Sequence, residues 1–102
     1  MSKYGNVRTV VDGITFDSKK EALRWRELRM LEKQKHISNL SRQASYRIDV
    51  GGVHVCDYRA DFTYRRPNGD LVVEDVKGVK TPIYQLKKKL MFACHRIVIT
   101  EI

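Results

Sequence analysis

Between Gln43 and Lys77 the chain alternates apolar and polar residues in three runs, and two turn signals separate them. Tyr46, Ile48 and Val50 mark one face of the first run, Gln43 to Val50. Gly51-Gly52 follows, a two-residue hairpin signal. A longer run, Val53 to Tyr64, leads into the turn Arg65-Arg66-Pro67-Asn68-Gly69-Asp70 and a third run, Leu71 to Lys77. A period of two belongs to strands with one covered face. Three successive strands at the centre of a chain need cover from whatever flanks them.

Both flanks read as helical. Ser18-Lys19-Lys20-Glu21 fits a capping box, and Ala22, Trp25, Leu28 and Leu31 carry an apolar face to about Lys35. A turn is expected from His36 to Ser41. Gly78 ends the third strand, and Thr81-Pro82 supplies a cap followed by Pro at the first helical position. The second helix should span Pro82 to Cys94, and Arg96 to Ile102 should form a last strand. Upstream, Ile14 to Phe16 suggests a short strand, and 1–11 a flexible segment. The expected architecture is α/β in the mixed α+β sense, in the order α-β-β-β-α-β, as one domain over 12–102. A length of 102 residues leaves room for one sheet with helices on it.

Twenty Lys and Arg against 12 Asp and Glu give a net charge of +8. That excess points to a polyanionic partner, with nucleic acid first. No apolar run approaches the roughly 20 residues of a membrane span. No leader pattern precedes the domain, so a cytoplasmic protein is expected. Cys56 and Cys94 lack CxxC spacing and read as core thiols rather than zinc ligands. There is no phosphate-binding glycine loop and no nucleophile elbow, and His36, His54 and His95 are scattered.

The acidic residues are placed more tellingly. Asp75 and Lys77 are two apart in one strand, so both project to the same side. In the Val53 to Tyr64 run, alternation puts Asp57, Arg59, Asp61 and Thr63 on one face and Tyr58, Ala60, Phe62 and Tyr64 on the other, unless a bulge intervenes. Magnesium is often held by one or two carboxylates, with phosphate and water completing its shell. Asp61 and Asp75 suit that duty, and Lys77 could orient a water or offset charge on a phosphate. The plain alternative is a cross-strand ion pair. Glu21 shares a helix face with Trp25 and Leu28, which aims it toward the sheet, although it also closes the capping box. Glu74 alternates away with Val72 and Val76 and is not expected to be a ligand.

Further polar residues are accessory candidates. Gln43 could hydrogen-bond near the metal or a phosphate. In Lys87-Lys88-Lys89, Lys87 lies one turn past Ile83, on the side where the helix is expected to pack, and could reach a phosphate. Tyr84 and Gln85 could touch backbone phosphate near the helix start. Arg65, Arg66, Lys80 and Lys88 are candidate DNA contacts.

Glu21 in the first helix, Ala60-Asp61 in a strand and Asp75-Val76-Lys77 in the next together resemble the PD-(D/E)XK nuclease superfamily. The stretches Gly13 to Glu21, Leu40 to Gln43, Tyr58 to Phe62 and Glu74 to Gly78 resemble, more narrowly, a small phage-borne endonuclease family long catalogued as a domain of unknown function. The likeness runs from about Asp12 to Glu101. It implies a restriction-endonuclease-like core with a four-stranded mixed sheet flanked by helices. It implies Mg²⁺, with Mn²⁺ able to substitute, held by Asp61 and Asp75 with help from Glu21, and Lys77 as the motif lysine. Ala60 stands where the motif has proline. Among relatives are Holliday-junction resolvases, so branched DNA, a homodimer and a phage or prophage setting are expected. The rivals are a non-catalytic nucleic-acid-binding module, a basic structural protein of a ribonucleoprotein or virion, and a sequence-specific or mismatch nicking enzyme.

Overall fold

The structure is a computed structural model that describes residues 7–76 and 80–102. Ser18 starts the first helix, α1 (Lys19–Lys33), by accepting a hydrogen bond from the Glu21 amide at 3.1 Å. The face α1 buries is Glu21, Ala22, Trp25 and Leu28. Ahead of it, β1 (Thr9–Val11) and β2 (Ile14–Phe16) pair antiparallel. Asp12 and Gly13 turn between them with φ of +53° and +76°. Two successive positive φ values suit the tight hairpin turn that matches strand twist. Thr9–Val11 is thus ordered strand where the sequence suggested a flexible segment through Val11. Trp25 fastens the hairpin by donating from Nε1 to Asp12 Oδ2 at 3.2 Å.

The protein is mixed α and β, with two helices and a mixed four-stranded sheet among the described residues. The sheet runs β3 (Ser38–Arg42), β6 (Phe62–Arg65), β7 (Leu71–Asp75), β8 (Thr100–Glu101). The first three are antiparallel neighbours, and β8 lies parallel to β7. Between β7 and β8 comes the second helix, α2 (Pro82–His95), capped by Thr81. Phe62, Tyr64 and Val72 pack on the α1 side with Phe16, Trp25 and Leu28. Val73 packs on the other side with Tyr84, Met91 and Ile99. The sheet is covered on both faces, as its parallel β7–β8 edge requires.

Three expected boundaries shift. His36 to Ser41 is not a turn throughout, because Ser38–Arg42 is the edge strand β3. The last strand shrinks to Thr100–Glu101, with Ile97 and Ile99 still packed inward. The largest correction concerns the long hairpin. The two runs divide into β4 (Ser45–Val50) and β5 (Val53–Arg59), which pair as a separate two-stranded sheet, while β3 and β6 belong to the main one. The ladder nevertheless continues through the corner: the Gln43 amide donates to Asp61 O at 3.1 Å and the Ala60 amide to Ala44 O at 2.9 Å. Gln43 takes a left-handed φ of +57° there. The corner breaks the alternation. Tyr58 and Ala60 face α2, whereas Phe62 and Tyr64 face α1.

Candidate active site

The end of β7 holds two acids on opposite faces. Glu74 points to α1, where Arg24 grips both of its oxygens and the Tyr64 hydroxyl donates to it. Asp75 points the other way and is fully buried. Asp61, just before β6, continues the β6–β7 register and lies opposite Asp75. The two carboxyl groups are within hydrogen-bonding reach of each other. Asp61 Oδ2 also accepts from the Val76 amide at 2.8 Å. Glu21, buried on α1, adds its charge to the same spot. Three expected site acids from three distant parts of the chain therefore converge.

Their electrostatics are those of carboxyl groups crowded together away from water. Burial first, and then the Asp75 carboxyl, push the Asp61 pKa up to about 8. The Val76 amide works against that rise, and the Asp75 and Glu21 charges add to it. On the far side, the Tyr58 hydroxyl donates to Asp75 Oδ2 at 2.5 Å. Burial and that hydrogen bond hold Tyr58 far above the ordinary phenol range, so it stays a donor.

The donor set fits a hard divalent cation. It consists of oxygens only, and two like-charged carboxyls in contact need a cation or a shared proton between them. Among the described residues, no group of three or more His, Cys, Asp or Glu is arranged as a ready metal cage. Asp61 and Asp75 are the two residues that could hold such an ion, with Glu21 beside them. The expectation for Lys77 lies outside the described residues.

A family model described as protein of unknown function (DUF1064) matches residues 1–100. The chain belongs to this family. No curated protein and no solved structure matches it. Among the described residues of this DUF1064 chain, no helix is long and apolar enough to cross a membrane.

The accessory residues divide. Gln43 lies across the ladder from Asp61, joined by its backbone. Lys87 turns to β5, donating to Asp57 O at 2.8 Å. Ile83 is not on the packing face; it is 68% exposed, and Tyr84 and Met91 face inward instead. Tyr84 is buried rather than displayed, with its hydroxyl donating to Glu101 Oε2 at 2.8 Å. Lys88 and Lys80 meet the same carboxylate at 3.1 and 3.3 Å. The Tyr84 hydrogen bond, then Lys88, pull the Glu101 pKa down to about 2. Gln85 is exposed on α2. Arg65 ends β6 and Arg66 follows it, four and five residues beyond Asp61, so roughly 13 Å of strand separates Arg65 from the acids. The fold does not bring them to the site. Neither cysteine is a core thiol: Cys56 is half-buried and Cys94 exposed.

Tyr58 and Glu101 are neighbours of the acids in this DUF1064 chain that no sequence pattern singles out. Strict alternation puts Tyr58 and Asp61 on opposite faces, and only the corner at Ala60–Asp61 reunites them. Glu101 carries no motif; its register opposite Asp75 in a parallel pair brings it near.

Proposed function

We propose that this protein is a magnesium-dependent DNA endonuclease on a restriction-endonuclease-like core, selective for branched DNA. The single observation that carries the reading is the fully buried Asp75 beside the half-buried Asp61, with the buried Glu21 acting on the same spot. Bound Mg²⁺ would offset the carboxylates and polarise a phosphate oxygen. Asp61 and Asp75 hold it, and Glu21 contributes directly or through water. Tyr58 keeps Asp75 oriented by donating to one of its oxygens. The Val76 amide fixes Asp61 in the same way. Lys77 is the residue we assign to assist the attacking water and the charge growing on the phosphate. Hydrolysis leaves a 5′-phosphate and a 3′-hydroxyl, as the resemblance implies. The net charge of +8 favours the DNA backbone.

The test is a panel of labelled linear, nicked, mismatched and four-way-junction DNA, with and without Mg²⁺. Magnesium-dependent product, strongest on the junction and lost in Asp75→Asn and Lys77→Ala, is the expected result. Product that is independent of Mg²⁺, or equal in wild type and Asp75→Asn, would remove the proposal. Equal cleavage of mismatched or linear DNA would move it to the nicking alternative. A second reading is a nucleic-acid-binding module without catalysis, which the net charge of +8 supports equally. Junction binding with no product under any divalent metal would establish it.

A further inference from the structure

A cleft of about 380 Å³ opens between β5 and the first turns of α2. Ser45, Tyr58, Arg59, Thr81, Ile83 and Lys87 line most of it. Tyr58, one of the residues bordering it, is also the residue whose hydroxyl meets Asp75 at 2.5 Å, which ties the cleft to the acidic pair. The charges in it are unevenly committed. Arg59 is exposed and makes no ion pair or side-chain hydrogen bond among the described residues. Asp57, the acid at the cleft, lies 3.6 Å from His54 instead. Lys87 spends one of its three donors on Asp57 O and keeps the others. Thr81 Oγ1 accepts from the Tyr84 amide, which leaves its own proton to donate. A fixed lysine, an unspent guanidinium and two hydroxyls around a small opening are a recognition set for one tetrahedral oxyanion.

We propose that this cleft binds a backbone phosphate of a nucleic-acid strand, next along that strand from the phosphate at the acidic pair, with Arg59 as the principal contact and Lys87 as the second. The choice of nucleic acid rests on the function proposed above. The cleft has room for a phosphate and its sugar, and it lies beside the acids. Arg59 thereby sets where the strand lies relative to Asp75. Arg65 and Arg66, which sequence alone favours, are too far along β6 to do so.

The experiment is binding of a labelled four-way junction by the full chain in EDTA, where no cleavage can occur, across 50–200 mM NaCl. Each phosphate contact contributes about 0.9 to the slope of log K against log salt on duplex and about 0.7 on a single strand. Arg59→Met should lower the slope by about that amount and weaken binding at 50 mM NaCl by about tenfold. Arg59→Lys should keep the slope, because it keeps the charge. Arg26→Met, an exposed charge on α1, should leave the slope at the wild-type value. An unchanged slope in Arg59→Met, or an equal drop in Arg26→Met, would overturn the proposal. Loss of slope at Arg59 in a protein that never cleaves would keep the cleft and discard the nuclease. Wild type that fails to bind would end both.

Discussion

Arg24 lays its guanidinium fork on Glu74, with Nε 2.8 Å from one carboxylate oxygen and Nη2 2.6 Å from the other. Glu74 is fully buried and Arg24 only 19% exposed. The fork also has a geometric consequence. Arg24 is three residues past Glu21 on α1, and Glu74 precedes Asp75 on β7. The ion pair fixes the rotation of α1 over the sheet and so keeps Glu21 beside Asp61. Removing one partner strands a buried charge, which costs about 3–5 kcal/mol, whereas removing both is far milder. Arg24→Met should therefore lose about that much stability in urea titrations. Arg24→Met with Glu74→Met should recover at least half of it. A double variant as unstable as the single would show that the fork is not the interaction at stake.

The pH dependence of stability follows from Asp61. Its pKa is about 8 in the folded protein against 3.8 in its ordinary state. Between those values the folded protein holds a proton that the unfolded chain has lost. The Asp61 contribution to stability must fall as pH rises from about 4 to about 8, by at most about 1.4 kcal/mol per pH unit, and is level outside that window. Asp61→Asn should flatten the curve. Magnesium should oppose the trend, because it replaces the proton: the rise in Tm on adding MgCl₂ should be larger at pH 8 than at pH 5. Thermal melts over pH 4–9 with and without Mg²⁺ check both statements. A flat wild-type profile would contradict them.

The acids themselves were legible in the sequence, and the reason is local. The Asp75 and Glu74 sides follow from strand alternation in one short unbroken run, and Glu21 follows from its spacing to Trp25 and Leu28. The capping by Ser18 and Thr81 was equally readable, because a side chain satisfying the amide three residues on is encoded in adjacent residues. What failed was everything that depended on the corner. Gln43 adopts a left-handed backbone without being Gly or Asn, and such a conformation has no compositional signal. Splitting the long run at Ala60–Asp61 then moved Phe62 and Tyr64 to the face opposite Tyr58. The strand β3 was missed because Ser38-Asn39-Leu40-Ser41-Arg42 is polar and lies at a sheet edge, where one apolar residue suffices.

The Tyr58 hydroxyl is predicted to tune metal affinity. It donates to Asp75 Oδ2, and loss of such an outer contact typically costs 10–100-fold in metal binding or activity. Tyr58→Phe should raise the Mg²⁺ concentration for half-maximal cleavage by about that factor. It should also cost about 1–3 kcal/mol of stability, because a buried carboxylate oxygen loses its donor. Mg²⁺ titration of the cleavage rate, with a urea melt in parallel, separates the two effects. An unchanged half-saturation with reduced stability would make Tyr58 a packing residue only.

Gln43 offers a test of the corner itself. A left-handed conformation costs a residue with a Cβ about 1–2 kcal/mol, and a β-branched residue suffers most there. Gln43→Gly removes that strain but adds unfolded-state entropy of about 0.5–1 kcal/mol, so its stability should stay near wild type. Gln43→Val should lose about 1–2 kcal/mol. The Gln43 amide holds Asp61 O, so a corner that relaxes away from φ +57° also shifts Asp61 relative to Asp75. Cleavage should consequently fall in Gln43→Val and survive in Gln43→Gly. If both variants lost cleavage equally while remaining folded, the Gln43 side chain rather than its backbone would be what the site uses. The accessory role read from sequence would then take precedence over the structural one.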